Sequence, residues 1–169
     1  MYTILDTKNT NELFLVRKGW LSSQYELTDN AFTYGQISYE GLSRHKATAR
    51  TENNVWKIRS ENAFKRSTTV MDENGVLIGQ TTQEWLSRKV TLTLQTGFSA
   101  EFSRPSIWSG NYSWKSEGYG EIMYINNSFF SLMDTIHLNK SRTPLTIIPL
   151  LIFLGSHLII LSRQRKAVS

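Results

Sequence analysis

The chain has no cysteine. That absence excludes disulfide bridges, thiolate zinc sites, thiol nucleophiles and S-palmitoylation. The first residues, MYTILDTKNTNE, carry neither a cationic segment nor a long apolar core, so they do not read as a secretory signal and a cytoplasmic main body is expected. Between Glu12 and Asn139 no apolar spacing of helical period is sustained for as much as about three turns. Catalytic constellations are missing too. His45, His137 and His157 are scattered, with no second histidine or carboxylate at a metal-ligand spacing. No glycine-rich phosphate loop follows a strand and opens a helix. Glu40, Glu84, Glu101 and Glu121 lack a recognisable acid–base pairing. The sequence therefore predicts no enzyme, no metal and no cofactor.

What is present reads as one domain covering residues 1–169, long enough to bury a sizeable core. Hydrophobic content of 40% and charged content of 20% are ordinary for a folded soluble domain, so disorder is not indicated. A net charge of +5 favours contact with anionic surfaces.

Short runs rich in Thr, Val, Ile, Tyr and Phe alternate with polar residues. They predict strands at Tyr25–Thr28, Phe32–Ser38, Lys46–Thr51, Val55–Arg59, Ser67–Met71, Val76–Thr81, Val90–Leu94, Ser99–Ser103 and Tyr119–Ile125. Asp29–Asn30, Asp72–Glu73–Asn74–Gly75 and Glu117–Gly118 read as hairpin turns, because Asn and Gly tolerate the positive φ such turns need.

Beneath this texture lies a repeat. Shifting the chain by 44 residues brings Asn30, Gly35, Gln36, Glu40, Leu42, Ser43 and Arg44 onto Asn74, Gly79, Gln80, Glu84, Leu86, Ser87 and Arg88. Roughly one identity would be expected by composition in such a span. A second shift is weaker, matching Glu73, Ser87, Thr91 and Leu94 to Glu117, Ser131, Thr135 and Leu138. Apolar columns follow the same register: Phe14, Ile58 and Phe102; Trp20, Phe64 and Trp108; Tyr34, Ile78 and Ile122; Leu42, Leu86 and Phe130. Each unit has room for about four short strands, so three units imply about twelve. The recurring tryptophan column favours core packing over base stacking, and Trp85 lies next to another column, so nucleic acid is not an expected partner.

About twelve antiparallel strands over 12–139 predict a mainly β fold closed into a barrel, wider than the eight-stranded size that side chains alone can fill. The plug is the most apolar stretch of the chain, LTIIPLLIFLGSHLIIL. It reads as a helix over 144–161, opened by Thr143–Pro144 and followed by a basic tail over 162–169 whose cations suit the negative end of the helix dipole. Pro149 will kink the helix or delay its start. A helix apolar nearly all round must be buried all round, in protein or in lipid. Both remain open on sequence: a helix in the barrel core, or a tail anchor carrying a cytosolic β-domain.

A β-rich body with segments such as VMDENGVLIG, closed by a C-terminal apolar helix, resembles the tubby C-terminal-like superfamily, which includes tubby domains, phospholipid scramblases and LURP-one-related proteins. The resemblance implies a twelve-stranded barrel around a central hydrophobic helix, and an uncharacterised bacterial-type member of the group. Tubby domains bind phosphoinositide head groups through basic residues, but no residue-by-residue match to that pocket is found. Scramblases rely on a cysteine-rich segment and an acidic calcium-binding segment, both lacking here, so that activity is not implied.

The candidate site is basic. Arg44 and Lys46, Lys65 and Arg66, and Arg88 and Lys89 lie near predicted turns or strand starts, and the repeat makes Arg44 and Arg88 equivalent, which would set two cations at one end of the barrel. Such a surface attracts anionic head groups. The expected role is a monomeric, non-catalytic barrel binding anionic phospholipid or a protein partner at the inner face of the membrane. The bland alternative is that these cations solubilise strand ends and guard sheet edges.

Overall fold

The computed structural model describes residues 1–19, 21, 23–61, 67–83, 88–105, 110–127, 132–139, 144 and 146–168. Twelve strands follow one another: β1 (Glu12–Arg17), β2 (Gln24–Thr28), β3 (Thr33–Glu40), β4 (Lys46–Thr51), β5 (Val55–Ser60), β6 (Thr68–Met71), β7 (Leu77–Gln83), β8 (Val90–Leu94), β9 (Ser99–Ser103), β10 (Asn111–Ser116), β11 (Gly120–Asn127) and β12 (Met133–Leu138). A single helix, α1 (Ile148–Val168), ends the described chain. Each strand pairs antiparallel with its sequence neighbours. The ring closes where β1 meets β12, with Glu12 opposite His137 and Val16 opposite Met133. Closure removes every free sheet edge.

The repeat is the architecture. Strands β1–β4, β5–β8 and β9–β12 start at positions that coincide, to within one residue, after shifts of 44. Each unit bulges at the same place: the pairing skips Tyr34 between β2 and β3, Ile78 between β6 and β7, and Ile122 between β10 and β11. These three form one of the apolar columns. The residue after the bulge is Gly35 in the first unit and Gly79 in the second, and a Cβ there would collide with the neighbouring strand, at the Arg50 carbonyl and the Leu94 side chain. That close approach accounts for the shared glycine.

One column needs correction. Ile58 and Phe102 are buried, but Phe14 is only half-buried, and Leu13 and Leu15 on either side of it point inward. The turn between β2 and β3 is one residue shorter than that between β6 and β7, so the first hairpin aligns with the second at a shift of 43 rather than 44. A slip of one residue turns every side chain to the opposite face. A second correction concerns Leu42, which is 98% exposed rather than core. Its partners Leu86 and Phe130, and the whole column Trp20, Phe64 and Trp108, lie outside the described residues, as does Trp85.

Helix α1 runs through the barrel. Its residues from Ile148 to His157 are buried without a break, nearly three turns enclosed on every side. Contacts reach it from opposite arcs of the ring. Gly155 sits against Phe102, Trp114 and Ile125 on β9–β11, while Phe153 meets the face of Gly35 on β3. The Trp114 indole donates to the Leu151 carbonyl at 2.8 Å, and His157 Nε2 lies 2.8 Å from Ser60 Oγ on β5. No helix among the described residues is long and apolar enough to cross a membrane. Of the two settings left open by hydropathy, the apolar segment occupies the protein interior.

The helix bounds differ from those expected. The first helical hydrogen bond runs from Leu151 to the Ile147 carbonyl, which puts Pro149 in the opening turn, where its missing N–H costs nothing. Pro149 delays the start rather than kinking the helix. At the other end the basic tail is not a tail: Ser162 to Val168 continue the helix.

Candidate functional site

Antiparallel neighbours force all connections of one parity to the same end. We call the end where α1 begins the bottom and the end where it finishes the top. Five short turns cap the bottom, at 29–32, 52–54, 72–76, 95–98 and 117–119. They carry Asp29, Glu52, Asp72, Glu73 and Glu117 and no Lys or Arg. The described connections at the top carry Lys18, Arg44, Arg88, Lys89 and Arg104 against Glu61. The last turns of α1 add Arg163, Arg165 and Lys166. The bottom turns are thus acidic and the top connections basic, although Lys8 precedes β1 at the bottom and the Lys57 ammonium reaches the Glu73 carbonyl there at 2.7 Å.

Two clefts open at the top beside α1. The first, of about 290 Å³, is lined by Arg17, Tyr25, Arg44, Leu132, Asp134 and Arg163 among others. Arg44 adopts a left-handed backbone (φ 53°), donates to the Tyr25 hydroxyl at 3.3 Å and lies 5.9 Å from the ring centre of Tyr39. The Tyr39 hydroxyl is buried with no hydrogen-bond partner, near Tyr25, Arg44 and Asp134, and burial raises its pKa. Arg163 donates to the Asn127 side-chain oxygen, and the Asn127 amide donates to Asp134. Burial pushes the Asp134 carboxyl up to about 6, against the opposing pull of Asn127 and Arg163. The second cleft, of about 250 Å³, brings Arg88 together with Ser162, Arg165 and Lys166.

The predicted site residues separate into three groups. Arg44 and Arg88 both stand at the top beside α1, and among the described residues neither has a carboxylate within ion-pair distance. Lys46 opens β4 on the exposed surface, paired across the sheet with Glu40 and Arg59, and Lys89 is held by Glu101 at 3.2 Å. Lys65 and Arg66 lie outside the described residues. Sequence reasoning missed Arg17, Arg163, Arg165 and Lys166 as cleft-lining residues. The signal was available in part: Arg17 ends the first strand, at the same end as Arg44, and the helix had only to continue past Leu161 to bring its cations to both clefts.

The histidines join no cluster of potential metal ligands among the described residues. His157 is buried in the helix with Nδ1 unpartnered, stacked on Tyr39 at 5.6 Å; burial, with His45 nearby, pushes it down to about 3. His137 stacks on Tyr124 and lies 3.3 Å from Glu12. Among the described residues no group of three potential ligands converges. The chain matches no protein-family model, no curated protein and no solved structure.

Proposed function

We propose that this chain is a non-catalytic, tubby-like barrel that lays its basic top against anionic lipid head groups at the inner face of a membrane. The observation that carries this reading is the gathering of Arg44, Arg88, Arg163, Arg165 and Lys166 around the top of α1, while the residues of the bottom turns include five acids and no Lys or Arg of their own. A body charged in this way orients in the field of a negative surface, top first. The tubby-like part is supported by architecture, since the closed twelve-stranded barrel around a C-terminal helix is what the resemblance implies.

The test is co-sedimentation of the full chain with phosphatidylcholine vesicles, with and without phosphatidylserine. Binding is expected only to the anionic vesicles. Each cation near such a surface contributes on the order of 1 kcal/mol, so Arg44→Gln together with Arg88→Gln should weaken binding by about thirtyfold. Equal binding to both vesicle types, or none to either, sinks the reading.

A further inference from the structure

Three consecutive connections at the top of the barrel present leucine to solvent. Leu42, between β3 and β4, is 98% exposed; Leu21, between β1 and β2, is 89% exposed; and Leu132, between β11 and β12, is 52% exposed. The ring order β11-β12-β1-β2-β3-β4 makes these neighbours along one arc, each about two strand spacings, or about 10 Å, from the next. Single exposed leucines are unremarkable, but adjacent ones on projecting connections form a patch. The patch is also tied together. The Arg17 N–H donates to the Leu132 carbonyl at 2.9 Å, the Tyr39 N–H to the Ser23 carbonyl at 3.0 Å and the Ser60 N–H to the His45 carbonyl at 2.8 Å, so each of the three connections is held to a neighbouring strand end. The first cleft opens inside this arc, with Leu132, Arg44, Arg17 and Arg163 on its walls.

We infer that Leu21, Leu42 and Leu132 enter the interfacial layer of an anionic bilayer while the arginines beside them meet its head groups. This rests on the function proposed above and adds to it a side of the ring and a mode of contact. Exposed apolar side chains occur at the bottom as well, at Ile4, Phe32, Val76, Leu77 and Tyr119. Those fall at three separate places on the ring, beside the turns that carry Asp29, Asp72, Glu73 and Glu117, which a negative surface repels. Charge therefore selects the top as the apolar face that meets lipid. Attraction brings the barrel to the surface, and burial of the leucines then supplies a component that salt does not screen.

The absence of cysteine makes the experiment direct, because one introduced thiol carries one label. Full-length chains bearing Leu42→Cys, Leu21→Cys or Leu132→Cys, each labelled with an environment-sensitive fluorophore, are mixed with phosphatidylserine–phosphatidylcholine vesicles. Phe32→Cys serves as the bottom control. A blue shift at the three top sites, quenched by spin-labelled acyl chains, with no change at residue 32, is expected. In co-sedimentation at about 1 M salt, where the screening length is about 3 Å, the unlabelled chain should retain binding. The variant Leu21→Ser, Leu42→Ser, Leu132→Ser should bind at least about tenfold more weakly under those conditions, with its thermal unfolding unchanged. Binding at low salt without a blue shift at any top site overturns the insertion and leaves head-group attraction standing. A blue shift at residue 32 equal to that at residue 42 overturns the orientation. Failure of the unlabelled chain to sediment with anionic vesicles at any salt overturns both this inference and the function it rests on.

Discussion

Gly155, at the middle of α1, lies so close to Trp114 that a Cβ placed on it would stand 2.8 Å from the indole nitrogen. The same methyl would sit 2.9 Å from Ile125 and 3.1 Å from Phe102, so three strands close on the helix at this point. The indole nitrogen cannot retreat freely, because it donates to the Leu151 carbonyl one turn earlier. Gly155→Ala would gain about 1 kcal/mol in helix propensity but overpacks a full ring of buried side chains, which costs about 1–3 kcal/mol. Displacement of the indole also strains its buried hydrogen bond, so net destabilisation of about 1–2 kcal/mol is expected. Urea unfolding of the variant checks the sign, and a stabilised variant would show that helix and wall are not in the contact described.

Phe153 is fully buried one turn before His157, against the bulged end of β3. Its truncation to alanine opens a void inside a closed wall that cannot collapse inward without breaking strand pairing. A loss of about 3–5 kcal/mol is expected from Phe153→Ala. Removing residues 148–168 altogether takes away the contents of the barrel, and the remainder should fail to fold cooperatively. A truncated chain with a sharp thermal transition and intact β-sheet circular dichroism would contradict the central-helix packing.

One buried group, His157, and one half-buried group, Asp134, are expected to give the stability a compensated pH dependence. His157 is held neutral, with its pKa lowered to about 3, so its contribution is complete above the unfolded value of about 6.5 and is lost as pH falls towards 3. Asp134 has its pKa raised to about 6, so its contribution is complete below the unfolded value of about 3.9 and is lost as pH rises through 6. Between about pH 4 and 6 the two slopes oppose, each limited to about 1.4 kcal/mol per pH unit. Urea midpoints of the wild-type chain should change little across that window. Asp134→Asn should expose the histidine slope, with stability falling on acidification, and His157→Gln should expose the reverse. Parallel pH profiles for the wild-type chain and both variants would rule out this pairing.

The fold was legible because the barrel repeats itself. Alternation finds nine of the twelve strands, with Lys46–Thr51, Val90–Leu94 and Ser99–Ser103 bounded as observed. The three unplaced strands each break alternation for a physical reason. In β1 two of the three outward positions, Phe14 and Val16, are apolar as well, so ELFLVR reads as an apolar run rather than an alternation. In β10 the consecutive residues Ser113 and Trp114 are both buried, opposite the Ile122 bulge of β11, so no alternation can be read. In β12 only Ile136 and Leu138 are buried, too few to set a period. At the candidate site, the repeat located Arg44 and Arg88. The helical cations could not be placed without knowing that α1 continues past Leu161, because hydropathy marks where lipid-like residues stop and not where a helix ends. The exposure of Leu42 was hidden by the column that seemed to explain it.

The shifted first hairpin separates two residues that sequence alone would rank in the opposite order. The 44-residue register aligns Phe14 with the buried Ile58 and Phe102, whereas the observed register puts Leu15 in the core, 1% exposed, and leaves Phe14 half-buried on the outer face. Leu15→Ala removes methyl groups from a packed interior and should cost about 2–5 kcal/mol. Phe14→Ala removes a larger side chain, but one that loses only cross-strand contact, so about 1 kcal/mol is expected. Chemical denaturation of the two variants decides between the registers. If Phe14→Ala proves the more damaging, β1 pairs with β2 and β12 one residue out of the register described, and Leu13, Leu15 and Leu27 would have to leave the core together.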